Sequence, residues 1–172
     1  MKIVPKIVFV FLLNLFLNNQ ALAGCEDKPG DGVSYEGCAF ADEQDLSGTF
    51  IPNSNLNFTS FIKVNFTKSI MMNSTLMNGN FSEANFFRVN LYESNLEGGN
   101  FENANFESAN LTKTIFKASS LINTSFKNSN LFSADLTYAN ISGANFENAN
   151  LNEATWIDGT KCAMNSIGEC KK

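Results

Sequence analysis

Four cysteines are the residues best equipped for chemistry in this chain: Cys25 and Cys38 near the start, Cys162 and Cys170 near the end. A thiolate can attack a substrate, bind a metal or pair as a disulfide, and its neighbours decide which. The sequence has no histidine, so neither a Ser-His nor a Cys-His nucleophile can be assembled, nor a mixed His/Cys metal site. Neither cysteine pair has CxxC spacing. Asp42, Glu43 and Asp45 lie close enough together to suggest calcium, but a solvated acidic cap is the simpler reading. No phosphate-binding glycine motif is present, and Gly98-Gly99 falls inside a repeat instead. These residues predict a chain that is not an enzyme, needs no cofactor and holds no metal.

An even number of cysteines in an exported chain reads as disulfides, which persist in an oxidising compartment, with free or metal-binding thiols as the alternative. Residues 1–23 supply the address: Lys2 and Lys6, the apolar run Ile7 to Leu17, and the small-x-small cleavage site Ala21-Leu22-Ala23 read as a signal peptide. The run is too short to span a bilayer, although an uncleaved anchor or a buried apolar element is the alternative. Leu22-Ala23-Gly24-Cys25 also fits a bacterial lipobox, which would anchor the chain to a membrane through a lipid on Cys25. The polar Asn18 to Gln20 between the apolar run and the cleavage site favours soluble export. Loss of Lys2 and Lys6 leaves ten basic against seventeen acidic residues, a balance that argues against nucleic acid phosphates as a ligand.

The elements that must position all this are set by a period of five. Every fifth residue from Leu46 to Trp156 is large and apolar, twenty-three in all, and the residue two before each, from Thr49 to Ala154, is Thr, Ser, Val, Gly or Ala. A helix needs apolar spacings of three and four, a strand a spacing of two, so neither holds this phase. One large and one small inward residue in five describe a chain that turns a corner at each pentapeptide. The segments Ala84-Asn85-Phe86, Ala104-Asn105-Phe106, Ala109-Asn110-Leu111, Ala144-Asn145-Phe146 and Ala149-Asn150-Leu151 resemble the motif of the pentapeptide-repeat proteins over roughly residues 38–156. That resemblance implies an all-β fold, a right-handed quadrilateral β-helix of twenty residues per coil, here about six coils and ~27 Å long at the strand spacing.

Stacking the chain at twenty tests the implied coil. One column reads Leu46, Phe66, Phe86, Phe106, Phe126, Phe146 and the next Ile51, Met71, Leu91, Leu111, Leu131, Leu151, so aromatic and aliphatic residues segregate. The other two read Leu56, Leu76, Leu96, Phe116, Leu136, Trp156 and Phe61, Phe81, Phe101, Leu121, Ile141. On the outside, opposite charges meet: Lys63 with Glu83, Glu93 with Lys113, Glu97 with Lys117, and Glu107, Lys127, Glu147 in series. Only Lys68 over Arg88 is a like pair. Asn90, Asn110, Asn130 and Asn150 form a column whose amides can bond to one another and to turn backbone.

This organisation predicts a signal peptide at 1–23, an N-terminal cap at 24–45, the β-helix at 46–156 and a C-terminal cysteine-loop cap at 157–172. Between Phe40 and Leu46 the spacing is six, so an irregular or bulged first coil is expected. Of three connectivities, Cys25–Cys38 with Cys162–Cys170 is favoured because a long array keeps its ends apart; free or metal-binding thiols are the alternative. Phe50, Ile70, Met72 and Tyr92 are predicted to gather on one outer side, a surface for a partner or a weak dimer. The function expected is a non-catalytic exported scaffold or protein-binding module, periplasmic, extracellular or in a thylakoid lumen, with an unknown protein or envelope component as partner. The alternative comes from the resemblance: some pentapeptide-repeat relatives are acidic DNA mimics that inhibit gyrase. Against it stand the export signal, the interleaved lysines and a terminal cysteine loop where those relatives carry a dimerising helix.

Overall fold

The computed structural model describes residues 25–172, so the expected signal peptide at 1–23 lies outside the described residues. The period of five is a turn repeated. After each large inward residue come two corner residues, and the second of them has positive φ, between 54° and 61° at every non-glycine member from Asn53 to Glu153. This left-handed conformation costs an L-residue ~1–2 kcal/mol, which explains the column's asparagines and glycines and its lack of Val, Ile and Thr. A hydrogen bond closes the corner, as from Ser69 N–H to the Phe66 carbonyl at 3.0 Å or Ala109 N–H to Phe106 at 3.1 Å. The chain is then extended just long enough to form one β-bridge before the next corner, so the sides contain single bridges and no longer strands.

Those bridges stack into four parallel ladders with a stride of twenty, such as Asn65–Asn85–Asn105–Ser125–Asn145 and Phe50–Ile70–Asn90–Asn110–Asn130–Asn150. Four ladders per twenty residues make a four-sided coil. The pairing begins upstream of Leu46: Ser34 bridges Asn55 and Ala39 bridges Ser60 at a stride of twenty-one, before Asp45 and Asn65 resume twenty. The extra residue is absorbed at the corner between Phe40 and Leu46, where Gln44 N–H closes the turn on Ala41 instead of Phe40. Residues 33–40 therefore form coil wall; Tyr35 is buried and Phe40 stacks on Phe61 at 4.2 Å.

Down the axis, Phe66, Phe86, Phe106, Phe126 and Phe146 form one stack, with successive centroids 5.2, 4.6, 5.4 and 5.0 Å apart and planes within 8° of parallel. Phe61, Phe81 and Phe101 form a second stack, at 5.7 and 5.1 Å. Each buried ring contributes ~1.5–3 kcal/mol of transfer free energy, and the stride of twenty lets rings meet rings without voids. The small inward residues include hydroxyls with fixed partners: Thr114 donates to the Leu91 carbonyl and Thr124 to Phe101, each at 2.8 Å. Among the described residues no buried side-chain nitrogen or oxygen lacks a partner.

Asparagine holds the wall from outside. Its Oδ1 accepts the N–H two residues on, as Asn105 does from Glu107 at 2.9 Å, and its Nδ2 donates to the asparagine one coil before, as Asn105 does to Asn85 at 3.2 Å. In the column from Asn90 to Asn150, Asn110 bonds Asn90 and Asn150 bonds Asn130, but Asn130 Nδ2 reaches Thr112 Oγ1 at 2.9 Å, and that hydroxyl donates to Asn110. Both ends are closed by local disulfides, Cys25–Cys38 and Cys162–Cys170, with Cα atoms 5.7 and 5.0 Å apart. Cys38 occupies a small inward position and is buried, with Cys25 as its partner. The tail after Trp156 doubles back antiparallel over the last coil, pairing Lys161 with Thr155 and Ile167 with Asn150. It thus covers an open ladder edge that would otherwise be a template for association.

Candidate binding face

The four residues expected to share an outer side fall in two columns, one of bridge positions and one of corner positions. Phe50 and Ile70 bridge each other and point outward, with 56% and 36% of their surface exposed. Met72 and Tyr92 stand at the neighbouring corner, linked through the Asn73 N–H to the Tyr92 carbonyl at 2.9 Å, and both are only half-buried. Pro52, at the head of that corner column, is buried, and its carbonyl accepts the Gly32 N–H from the N-terminal loop at 2.9 Å. Tyr92 donates its hydroxyl proton to Glu93 at 2.8 Å, and the Lys113 ammonium sits 5.7 Å from its ring centroid. The outcome is an apolar strip toward the N-terminal half of the side, giving way to the amides of Asn90, Asn110, Asn130 and Asn150.

Two further exposed aromatics, Phe58 and Tyr138, were not singled out by sequence reasoning. Both are left-handed corner residues, φ 57° and 61°, and the phase that places them at that position was visible as a column of its own.

Opposite charges meet across coils as Lys113–Glu93 at 2.7 Å, Lys127–Glu147 at 3.0 Å and Lys63–Glu83 at 3.9 Å. The hydrogen bond from Lys113, with a second from Tyr92, holds the Glu93 carboxyl below its ordinary value, and the same contact raises Lys113. Glu97 with Lys117, and Glu107 with Lys127, do not close within 4.0 Å among the described residues. All these groups are exposed, so they report register and add little stability. Of the acidic cluster, Asp45 accepts from Ser47 N–H and Asn65 Nδ2, both at 3.0 Å, and the backbone bond from Ser47 lowers its carboxyl. Among the described residues no group of three or more metal-ligating side chains is placed to hold an ion. No helix among them is long and apolar enough to cross a membrane.

Geometry of this kind defines a class: a four-sided solenoid with a ring-filled axis and disulfide-closed ends. The chain matches the family description "Pentapeptide repeats" in eight copies, over residues 45–78, 73–103, 84–121, 100–137 and 129–155. It belongs to the pentapeptide-repeat family. Among solved structures it is similar to HetL, a pentapeptide repeat protein involved in heterocyst differentiation regulation from the cyanobacterium Nostoc sp. strain PCC 7120, with a TM-score of 0.54 and 18% identity over 78% of this chain and 73% of that one. Full-length QnrB1, a plasmid-mediated fluoroquinolone resistance protein, matches at TM-score 0.44 and 15% identity over 70% of each chain. A pentapeptide repeat protein from the Arabidopsis thaliana thylakoid lumen matches at TM-score 0.27 and 19% identity over 72% of this chain and 71% of that one. At these identities the likeness to HetL speaks for the fold alone. No curated protein sequence matches the chain.

Proposed function

We propose that this protein is a non-catalytic, exported binding module: a right-handed rod of about six coils whose apolar side contacts a protein or envelope component. The observation that carries the reading is the bridged pair Phe50 and Ile70, large apolar residues held outward on a rigid wall whose other ladder positions are mostly Asn, Ser and Thr. A fold that buries its core so completely gains nothing from exposing them, and exposed apolar groups on a flat side are what a partner's surface can cover. Export is supported by the two disulfides, which persist outside the reducing cytosol.

The test is chemical cross-linking in the producing cell's envelope fraction with the wild-type chain and with Phe50→Ser/Tyr92→Ser. The expected result is a cross-linked species that the double variant loses while its melting curve stays unchanged. Identical cross-linked species from both proteins, with light scattering showing monomers, would remove the reading.

A further inference from the structure

The same side carries a second anomaly, in its charges. Wherever else two charged residues of the repeat stand one coil apart they carry opposite signs, three of the pairs within 4.0 Å: Lys63–Glu83, Lys113–Glu93 and Lys127–Glu147. Lys68 and Arg88 break the rule. Lys68 N–H donates to the Phe87 carbonyl at 2.9 Å, which sets the two cations in adjacent coils at the same corner. Like charges so placed repel, and neither reaches a carboxylate within 4.0 Å among the described residues. Nothing in the backbone asks for cations here: φ is 59° at Lys68 and 56° at Arg88, and Glu83, Glu93 and Glu153 take the same conformation at 59°, 55° and 59°.

The corner leads directly into the side that bears the apolar strip, since Ile70 and Asn90 follow Lys68 and Arg88 by two residues. The Arg88 guanidinium lies 5.0 Å from the Phe87 ring centroid, so part of its freedom is already spent. A violated charge rule beside an exposed apolar pair, in a chain with seventeen acidic residues, marks a place built for a partner's carboxylates and not for the fold. An anionic membrane fits poorly: surface recognition takes clusters of ~4–8 cations, and the rod as a whole would be repelled.

We infer that the corner of Lys68 and Arg88, with Phe50 and Ile70 beside it, binds an extended protein segment carrying paired carboxylates among apolar side chains. This rests on the binding-module reading and names its partner's chemistry. Carboxylates at alternate residues of an extended segment lie ~7 Å apart, within reach of two long cationic side chains one coil apart. Apolar residues on its other face cover Phe50 and Ile70.

The probe is a fluorescein-labelled hexapeptide alternating glutamate with leucine, its glutamine counterpart, and vesicles of phosphatidylglycerol and phosphatidylcholine in equal parts. Fluorescence anisotropy at low salt should show wild-type protein binding the glutamate peptide and the glutamine peptide about tenfold more weakly. Lys68→Glu pairs with Arg88, so its melting temperature should rise while its affinity for the glutamate peptide falls about tenfold. A wild type that ignores the glutamate peptide, or a Lys68→Glu variant that binds it as well as wild type, overturns the inference. So does vesicle binding that Lys68→Glu abolishes in the absence of peptide binding, which would assign the corner to lipid. If Lys68→Glu keeps the envelope cross-link that Phe50→Ser/Tyr92→Ser loses, this inference alone fails; if neither variant alters the cross-link, the binding-module reading fails with it.

Discussion

Ala118 offers a test of the corner geometry on which every column depends. It is exposed, it has φ 55°, and its side chain belongs to no core or hydrogen-bond network, so the backbone dominates any effect of substitution. Left-handed backbone costs an L-residue ~1–2 kcal/mol, whereas glycine there costs nothing sterically and loses ~0.5–1 kcal/mol more than alanine in unfolded-chain freedom. Ala118→Gly should therefore stabilise the rod by ~0.5–1 kcal/mol. With a urea slope of ~2 kcal/mol/M this moves the midpoint up by roughly 0.3–0.5 M, readable by circular dichroism. Ala118→Val should move it the other way, by ~1 kcal/mol or more, because a β-branched residue at positive φ is the least tolerated. The internal control is Ala109, small, inward and only 2% exposed. There the same Ala→Gly change loses a buried methyl as well as backbone order and should destabilise by ~1–2 kcal/mol. Equal losses for Ala118→Gly and Ala109→Gly would refute the assignment of one residue to a left-handed corner and the other to the axis.

Phe106→Asp places a carboxylate between rings 4.6 and 5.4 Å away and should unfold the central coils, whereas Glu102→Ala should be nearly silent; thermal melts distinguish them. Gly99→Val would set a Cβ 2.6 Å from the Phe101 ring and 3.3 Å from the Leu96 carbonyl, so a loss of ~1–3 kcal/mol in urea unfolding is expected. Glu93 is depressed in the folded state, so its contribution is present above the ordinary glutamate value of 4.5 and disappears as pH falls through its lower folded value. Lys113→Met should flatten that part of the stability–pH curve. Cys162→Ser with Cys170→Ser should fray the end first, with hydrogen exchange rising at Leu151 and Trp156, whose N–H groups bond Ser166 and Thr160 at 2.8 and 2.7 Å, before any change at Phe86.

The inward half of this protein could be read from its sequence because burial permits few residue types and the period repeats them. Phe66, Phe86 and Phe106 announced their stack by position alone, and the asparagine column its ladder. The spacing of six between Phe40 and Leu46 marked an irregular first coil, but Tyr35 went unread, since one extra residue before Leu46 shifts the phase and a strict count of five loses the register upstream. A corner can absorb such a residue because its backbone is not tied to the ladder, whereas a bridge position cannot. The antiparallel return of the tail was hidden for a different reason: its pairings, Lys161 with Thr155 and Ile167 with Asn150, are unique contacts that no repeat advertises. The left-handed column lay in plain view as an absence of Val, Ile and Thr, a signal that a search for apolar residues passes over.

The outward half is legible only where it departs from what the wall requires. A bridge position is well served by Asn, whose amide satisfies the next turn and the coil below, and a corner by Asn, Gly or a long flexible side chain. A residue that meets those needs says nothing about a partner, which is why Glu97 and Lys117 can fall in register without closing an ion pair and without implying a site. Phe50 and Ile70 forgo the amide ladder that begins at Asn90, and Lys68 with Arg88 accept repulsion where every neighbouring rung avoids it. Each departure alone would be an ordinary irregularity of a surface. Their adjacency on one side of the wall is what the proposed binding reading rests on; if a partner offsets their cost to the folded state, stabilising this corner and weakening its binding should be one and the same change.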